Sequence, residues 1–201
     1  MKLLLTSAGL KNKKVTDFFS SILPKAPKDC SIIMVAYALK PEEQFYIDES
    51  KKELVDLGIN EITTFNLKEE NFNLLQTFDI IYVCGGNTFA ILDRMRKTGI
   101  DKYIIEKTRN GNSLYFGVSA GSIIAGPNLF TAGWGSEGDS NKVDLKDLSG
   151  FKFTDISILP HFKYQLAEEL ENLKKKVDYT VIGLTDEEAI YIDDVGHTVI
   201  R

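Results

Sequence analysis

The stretch "YFGVSAGSIIAG", Tyr115 to Gly126, governs the reading of this sequence. An apolar run, "SLYFGV" (Ser113 to Val118), enters it, a helix-like run leaves it, and Ser119 stands at the corner between Gly117 and Gly121. Small flanking residues let a backbone turn sharply and lift a hydroxyl out of a sheet's edge. The five residues fit G-x-S-x-G. With Gly and Ser each near 7% of residues, that pattern arises by chance in roughly one of fifteen chains of this length, so context has to carry it. The context is the required one, a strand before and a helix after. The Ala120 amide would then point to where an oxyanion forms, at a helix N-terminus. The bland alternative is a serine that caps the next helix, with glycines serving packing.

Outward from this corner, apolar β-rich runs alternate with amphipathic ones. Strands are expected at Lys2 to Ser7, Ser31 to Tyr37, Glu61 to Asn66, Asp79 to Cys84 and Ser113 to Val118. Helices are expected at Lys13 to Leu23, Pro41 to Leu57, Thr88 to Lys97 and Tyr103 to Arg109. Pro41 suits a first helical turn and Gly58 a helix end. Then come a strand (Ile156 to Leu159), a helix (Tyr164 to Lys176), a strand (Thr180 to Leu184) and a closing hairpin (Ala189 to Ile192 with Thr198 to Ile200). Continuous apolar strands separated by helices predict a mostly parallel sheet covered on both faces, a three-layer α/β/α arrangement. The stretch from Gly126 to Gly150 breaks the rhythm. It is rich in Gly, Asp, Asn and Ser, holds the only tryptophan, Trp134, and reads as a long loop or small hairpin excursion.

The 201 residues suit one domain spanning 1–201 with a real core. Hydrophobic residues are 43%, charged residues 26% and the formal net charge is −5, with no basic stripe, which argues against nucleic acid as a partner. Lys174-Lys175-Lys176 reads as the cationic last turn of a helix. Two cysteines, Cys30 and Cys84, sit in apolar runs and are expected to be buried thiols in a reducing compartment. No run approaches the ~20 apolar residues of a membrane span, and "MKLLLTSAGL" is too short for a signal peptide. The expectation is a cytoplasmic protein, monomer or homodimer, with the closing strands offering an edge for self-pairing.

A serine hydroxyl needs a base near neutral pH. There are two histidines. His161 follows Pro160 at the end of a strand, at the carboxyl edge where working residues of an open parallel sheet gather, whereas His197 sits in a hairpin turn. His161 is therefore the candidate base. A carboxylate should orient the imidazole. Asp186 and Glu187 follow the next strand at the same edge; Asp139 and Asp144 in the irregular stretch are rivals, while Asp193 and Asp194 read as solvated turn residues. Gly85-Gly86-Asn87-Thr88 follows the fourth strand. Paired glycines allow close backbone approach, Gly86 could supply a second oxyanion amide, and Thr88 can cap the next helix. The run matches neither nucleotide-binding glycine pattern, and no cluster of metal ligands is visible, so no cofactor or metal is expected.

Four pieces now stand in order: "YVCGGNT", "YFGVSAGSIIAG", "ILPHF" and "GLTDEEAI". Together they resemble the peptidase E family, which includes aspartyl dipeptidases and the related cyanophycinases, over nearly the whole chain. The resemblance implies a fold similar to class I glutamine amidotransferases, flavodoxin-like, with serine where those carry cysteine. It implies Ser119 as nucleophile, His161 as base, and the amides of Gly86 and Ala120 as the oxyanion hole. The family's acid usually stands three residues after the glycine of "GLTDEEAI"; that place holds Asp186 where the family has glutamate, and an aspartate in the loop after the nucleophile would point to Asp139.

A small peptide is the substrate so implied, with Asn87, Thr88, Trp134, Asp139 and Lys163 as candidate substrate-binding residues. The chain has no arginine between Arg109 and Arg201, so the guanidinium fork that suits an aspartate side chain is missing there, and strict Asp-Xaa preference is not expected. The sequence thus points to a serine-type dipeptidase or exopeptidase. A β-aspartyl isopeptidase or esterase on the same site is an alternative, as is a non-catalytic binding domain of this fold.

Overall fold

The computed structural model describes residues 1–68, 76–135 and 138–201, the side chain of Glu42 excepted. Five strands run parallel: β1 (Leu3–Thr6), β2 (Ser31–Ala36), β3 (Glu61–Asn66), β4 (Ile80–Val83) and β5 (Leu114–Val118). The main sheet has the order β3-β2-β4-β5-β1-β8-β9, closed by the antiparallel β8 (Ala189–Ile192) and β9 (His197–Ile200). The architecture is the α/β arrangement that the sequence predicts.

Strand alternation explains the layers. Leu3, Leu5, Ile33, Val35, Ile81, Val83 and Tyr115 face one way and join a core with α3 (Thr88–Thr98), α4 (Ile100–Arg109) and α5 (Ala120–Ala125). Leu4, Ile32, Met34, Ile80, Tyr82 and Phe116 face the other way and pack on α1 (Lys13–Ile22) and α2 (Pro41–Asp56). Cys30 and Cys84 are buried free thiols; burial pushes the Cys84 thiol up to about 12. Among the described residues no helix is long and apolar enough to cross a membrane.

One feature departs from the single sheet expected. β6 (Ile156–Leu159) and β7 (Thr180–Gly183) pair with each other in a separate two-stranded parallel sheet. β8 takes the place beside β1 instead, with Leu3 opposite Ile192 and Thr6 opposite Ala189. β6 packs Ile156 and Ile158 into the core beside α5, while Val181 of β7 shares a small cluster with Phe162, Leu170 and Leu173. The connecting helix also differs: it begins as a 3-10 turn, Tyr164–Leu166, and only Ala167–Lys174 (α6) is α-helical. Upstream, α4 starts at Ile100 rather than Tyr103, because Gly99 at φ 80° ends α3 and lets the next helix begin at once.

The Gly126 to Gly150 stretch is tied down at its base by a bridge between Asn128 and Ser149. Arg96 of α3 donates to the carbonyls of Asp147 and Ser149. Residues 136 and 137 within it lie outside the described residues.

Candidate active site

Because β5 lies between β4 and β1, the turns after these three strands share one edge. Ser119 leaves β5 with φ 48° and ψ −105°, a conformation that a residue with a side chain adopts only when its surroundings impose it. The imposing contacts are backbone on backbone. The Ser119 amide donates to the Thr6 carbonyl over 3.0 Å. A Cβ at Gly117 would come within 2.7 Å of the Gly121 carbonyl carbon, and one at Gly121 would run into the Val83 carbonyl oxygen. Glycine at both places therefore lets α5 sit against β4 and β5 more closely than any side chain permits. The hydroxyl does not cap α5. Instead Ser119 Oγ lies 3.0 Å from His161 Nε2.

His161 follows β6 and also has a left-handed backbone, φ 55°. Its Nδ1 lies 2.6 Å from Asp186 Oδ1. Since Asp186 can only accept when ionised, Nδ1 carries the proton and Nε2 is left to accept from Ser119. The side chains of His161 and Asp186 are about half exposed, so a substrate can reach them.

Asp186 belongs to the turn that feeds β8. β8 runs antiparallel to β1, so its first residue, Ala189, pairs with Thr6 at the carboxyl end of β1 and the preceding turn overhangs the site. The turn closes through Glu188 N–H donating to the Thr185 carbonyl and Thr185 N–H donating to Glu188 Oε2. Glu188 is buried and its Oε1 meets Arg201 Nε at 2.9 Å. Three consecutive acids thus have three fates: Asp186 meets the imidazole, Glu187 faces solvent and Glu188 anchors the turn. Burial raises the Asp186 carboxyl, but hydrogen bonds from His161 and Ser7 and the electrostatic attraction of the His161 ring and Lys11 outweigh it, so it lies below its ordinary value.

Gly85 and Gly86 bring the backbone against Ser119. A Cβ on Gly85 would lie 3.4 Å from that of Ser119. Gly86 has φ 139°, which glycine alone adopts readily, and is exposed. The amides of Gly86 and Ala120 donate to no acceptor among the described residues.

Most of the other residues that the sequence singles out are engaged elsewhere. Thr88 is fully buried, and both its amide and its hydroxyl donate to Asp139 Oδ2, at 2.8 and 2.7 Å. Asp139 is therefore a clasp between the irregular stretch and the start of α3, not a partner of the imidazole. Asn87 caps α3, accepting the Ala90 amide, and donates to the Ser140 carbonyl. Trp134 packs its ring under the Lys176 ammonium, 4.8 Å from the centroid, and beside Phe130. It is half-buried against the Phe162 cluster rather than bonded to the site. Lys163 is exposed, two residues after His161.

Sequence reasoning missed Ser7 and Glu188. Ser7 is fully buried; its Oγ accepts the His161 amide at 2.7 Å and donates to Asp186 Oδ1 at 2.9 Å. Its position just past the first strand, at the same carboxyl edge as Ser119, was the available signal.

The family model described as peptidase family S51 matches residues 3–200. An uncharacterized peptidase of Listeria monocytogenes serovar 1/2a is 32% identical over 201 residues, covering 91% of this chain and 95% of that one. Peptidase E of Salmonella heidelberg is 29% identical over 168 residues, covering 77% of this chain and 69% of that one. A crystal structure from Listeria monocytogenes EGD-e, assigned to peptidase E, superposes with a TM-score of 0.81 at 29% identity, covering 100% of this chain and 98% of that one.

Proposed function

The chain belongs to peptidase family S51 and is a peptidase, and from that premise we propose that it hydrolyses short peptides through an acyl-enzyme formed on Ser119. Ser119 Oγ attacks the scissile carbonyl carbon while His161 Nε2 takes its proton. Asp186 fixes the ring and stabilises the imidazolium that results. The amides of Gly86 and Ala120 receive the oxyanion, a contribution on the order of 3 kcal/mol for each donor. His161 then protonates the departing amine, and the C–N bond breaks. Water, deprotonated by the same imidazole, releases the acyl group and restores Ser119.

The observation that carries this reading is the continuous line Ser119 Oγ, His161, Asp186 at 3.0 and 2.6 Å. The first bond lies within reach for proton transfer without rearrangement, and the second holds the ring in the tautomer that transfer needs. Lys163 offers an incoming carboxylate a point charge rather than a planar fork, which supports acceptance of acidic substrates without strict preference for aspartate.

A fluorophosphonate probe tests the assignment. It should label Ser119, and Ser119→Ala should abolish labelling and turnover together. Continued hydrolysis by that variant would refute the assignment. A panel of dipeptides, β-aspartyl isopeptides and aryl esters then identifies the bond cleaved.

A further inference from the structure

We propose that Ser7 is a positioning residue of this site: its hydroxyl, at the end of β1, locks His161 and Asp186 into register with Ser119. The inference rests on the reading of Ser119, His161 and Asp186 given above.

The direction of each bond is fixed by chemistry. The His161 amide can only donate, so Ser7 Oγ accepts it at 2.7 Å. The hydroxyl's single proton is thereby free for the carboxylate, and it goes to Asp186 Oδ1 at 2.9 Å. That oxygen is also the one that takes His161 Nδ1 at 2.6 Å. A closed triangle results: Ser7 to the His161 main chain, Ser7 to the Asp186 carboxylate, and that carboxylate to the His161 ring. Turning the carboxyl group would break two bonds at once, and lifting the His161 backbone would break a third.

The arrangement answers a structural need. His161 comes from the small β6-β7 sheet, which shares no strand pairing with the main sheet, while Asp186 comes from the turn before β8. Ser7 directly follows β1, the strand beside the one that Ser119 follows. It is therefore the point where base and acid are referenced to the nucleophile's own framework. Being fully buried, it offers no freedom to drift. Neighbouring buried hydroxyls behave differently: Thr6 donates to the Gly117 carbonyl, and Ser122 to the carbonyls of Thr6 and Gly117, all of them main-chain acceptors. The left-handed backbone of His161, φ 55°, needs such a fixed acceptor for its amide to persist.

The test compares wild type, Ser119→Ala, Ser7→Ala and Ser7→Cys, the last keeping a group of similar shape with only a weak donor. Two quantities are read: the rate of fluorophosphonate labelling, and the titration midpoint of the Asp186 carboxyl followed by 13C NMR of aspartate-labelled protein. Ser7→Ala should slow labelling by about 10- to 100-fold. It should also move the Asp186 midpoint upward, because a donor to the anion is gone; Ser7→Cys should fall between. A role in stability alone would lower the melting temperature and leave the midpoint in place. Wild-type labelling rate together with an unmoved midpoint in Ser7→Ala overturns the Ser7 inference while leaving Ser119 as nucleophile. Failure of wild type to label at Ser119 overturns the underlying reading instead. If Ser7→Ala does not fold, Ser7→Cys decides the matter by the same two readouts.

Discussion

The two sides of the site are held in place by different physics. On the Ser119 side the backbone is wedged: glycines at 117 and 121 let α5 press on β4 and β5, and the neighbouring strands are buried along their whole length. On the His161 and Asp186 side there is little packing around the side chains, which are about half exposed, and the positions are set by hydrogen bonds through Ser7 and by the Glu188 turn. The lesson is a division of labour. The strained corner at Ser119 is fixed by contact, which does not depend on pH. His161 and Asp186 are fixed by polar bonds, which can be adjusted by protonation and broken by the loss of single atoms.

That contrast can be broken or sharpened by experiment. The largest effect is expected from Ser119→Ala, which should lower kcat by about 10⁶-fold, some 8 kcal/mol of barrier, with an unchanged melting temperature. Next comes a pair of aspartates. Asp186→Asn should cost about 10⁴-fold in kcat with the fold intact. Asp139→Asn should keep kcat within a few-fold and lose about 1–2 kcal/mol of stability, because it weakens the clasp on Thr88. If the two exchanged phenotypes, the acid would be Asp139 and the polar side would be misassigned.

Third, Gly121→Ala should destabilise the protein by about 3 kcal/mol, since the new Cβ meets the Val83 carbonyl and neither backbone can yield. Urea denaturation measures this, and a neutral result would remove the wedge. The smallest effect concerns pH. The folded Asp186 carboxyl lies below its ordinary value, so its contribution to stability is present above the unfolded value of about 3.9 and is lost as pH falls through the folded one. The stability gap between wild type and Asp186→Asn should therefore close only in that acidic window, whereas the cost of Gly121→Ala should stay constant across it.

Much of this was legible in the residues. The alternation of apolar strands and amphipathic helices gave the layers, and "GVSAG" after an apolar run gave the corner, because local periodicity and glycine's freedom act within a few residues. His161 was legible because only two histidines were available and one ended a strand. The candidate acid was narrowed to Asp186, Glu187 and Asp139, each a carboxylate at a plausible place; what separates them is which way the turn before β8 faces and that Asp139 is held by Thr88. The structural bonds of Asn87 and Thr88 were not legible, because a polar residue at a strand end serves a helix start as readily as a substrate, and Asp139, the partner of Thr88 across the gap, lies 51 positions away.

By itself, then, the order of residues determined the α/β layering, the serine at its glycine corner and the candidate base, all properties of short-range pattern and side-chain chemistry. Only the tertiary structure decided that β8 lies beside β1, that β6 and β7 stand apart, and that Ser7 joins His161 to Asp186. Those outcomes depend on which strands pair and on bonds spanning 154 positions, from Ser7 to His161, and 179, from Ser7 to Asp186, whose geometry no local pattern encodes.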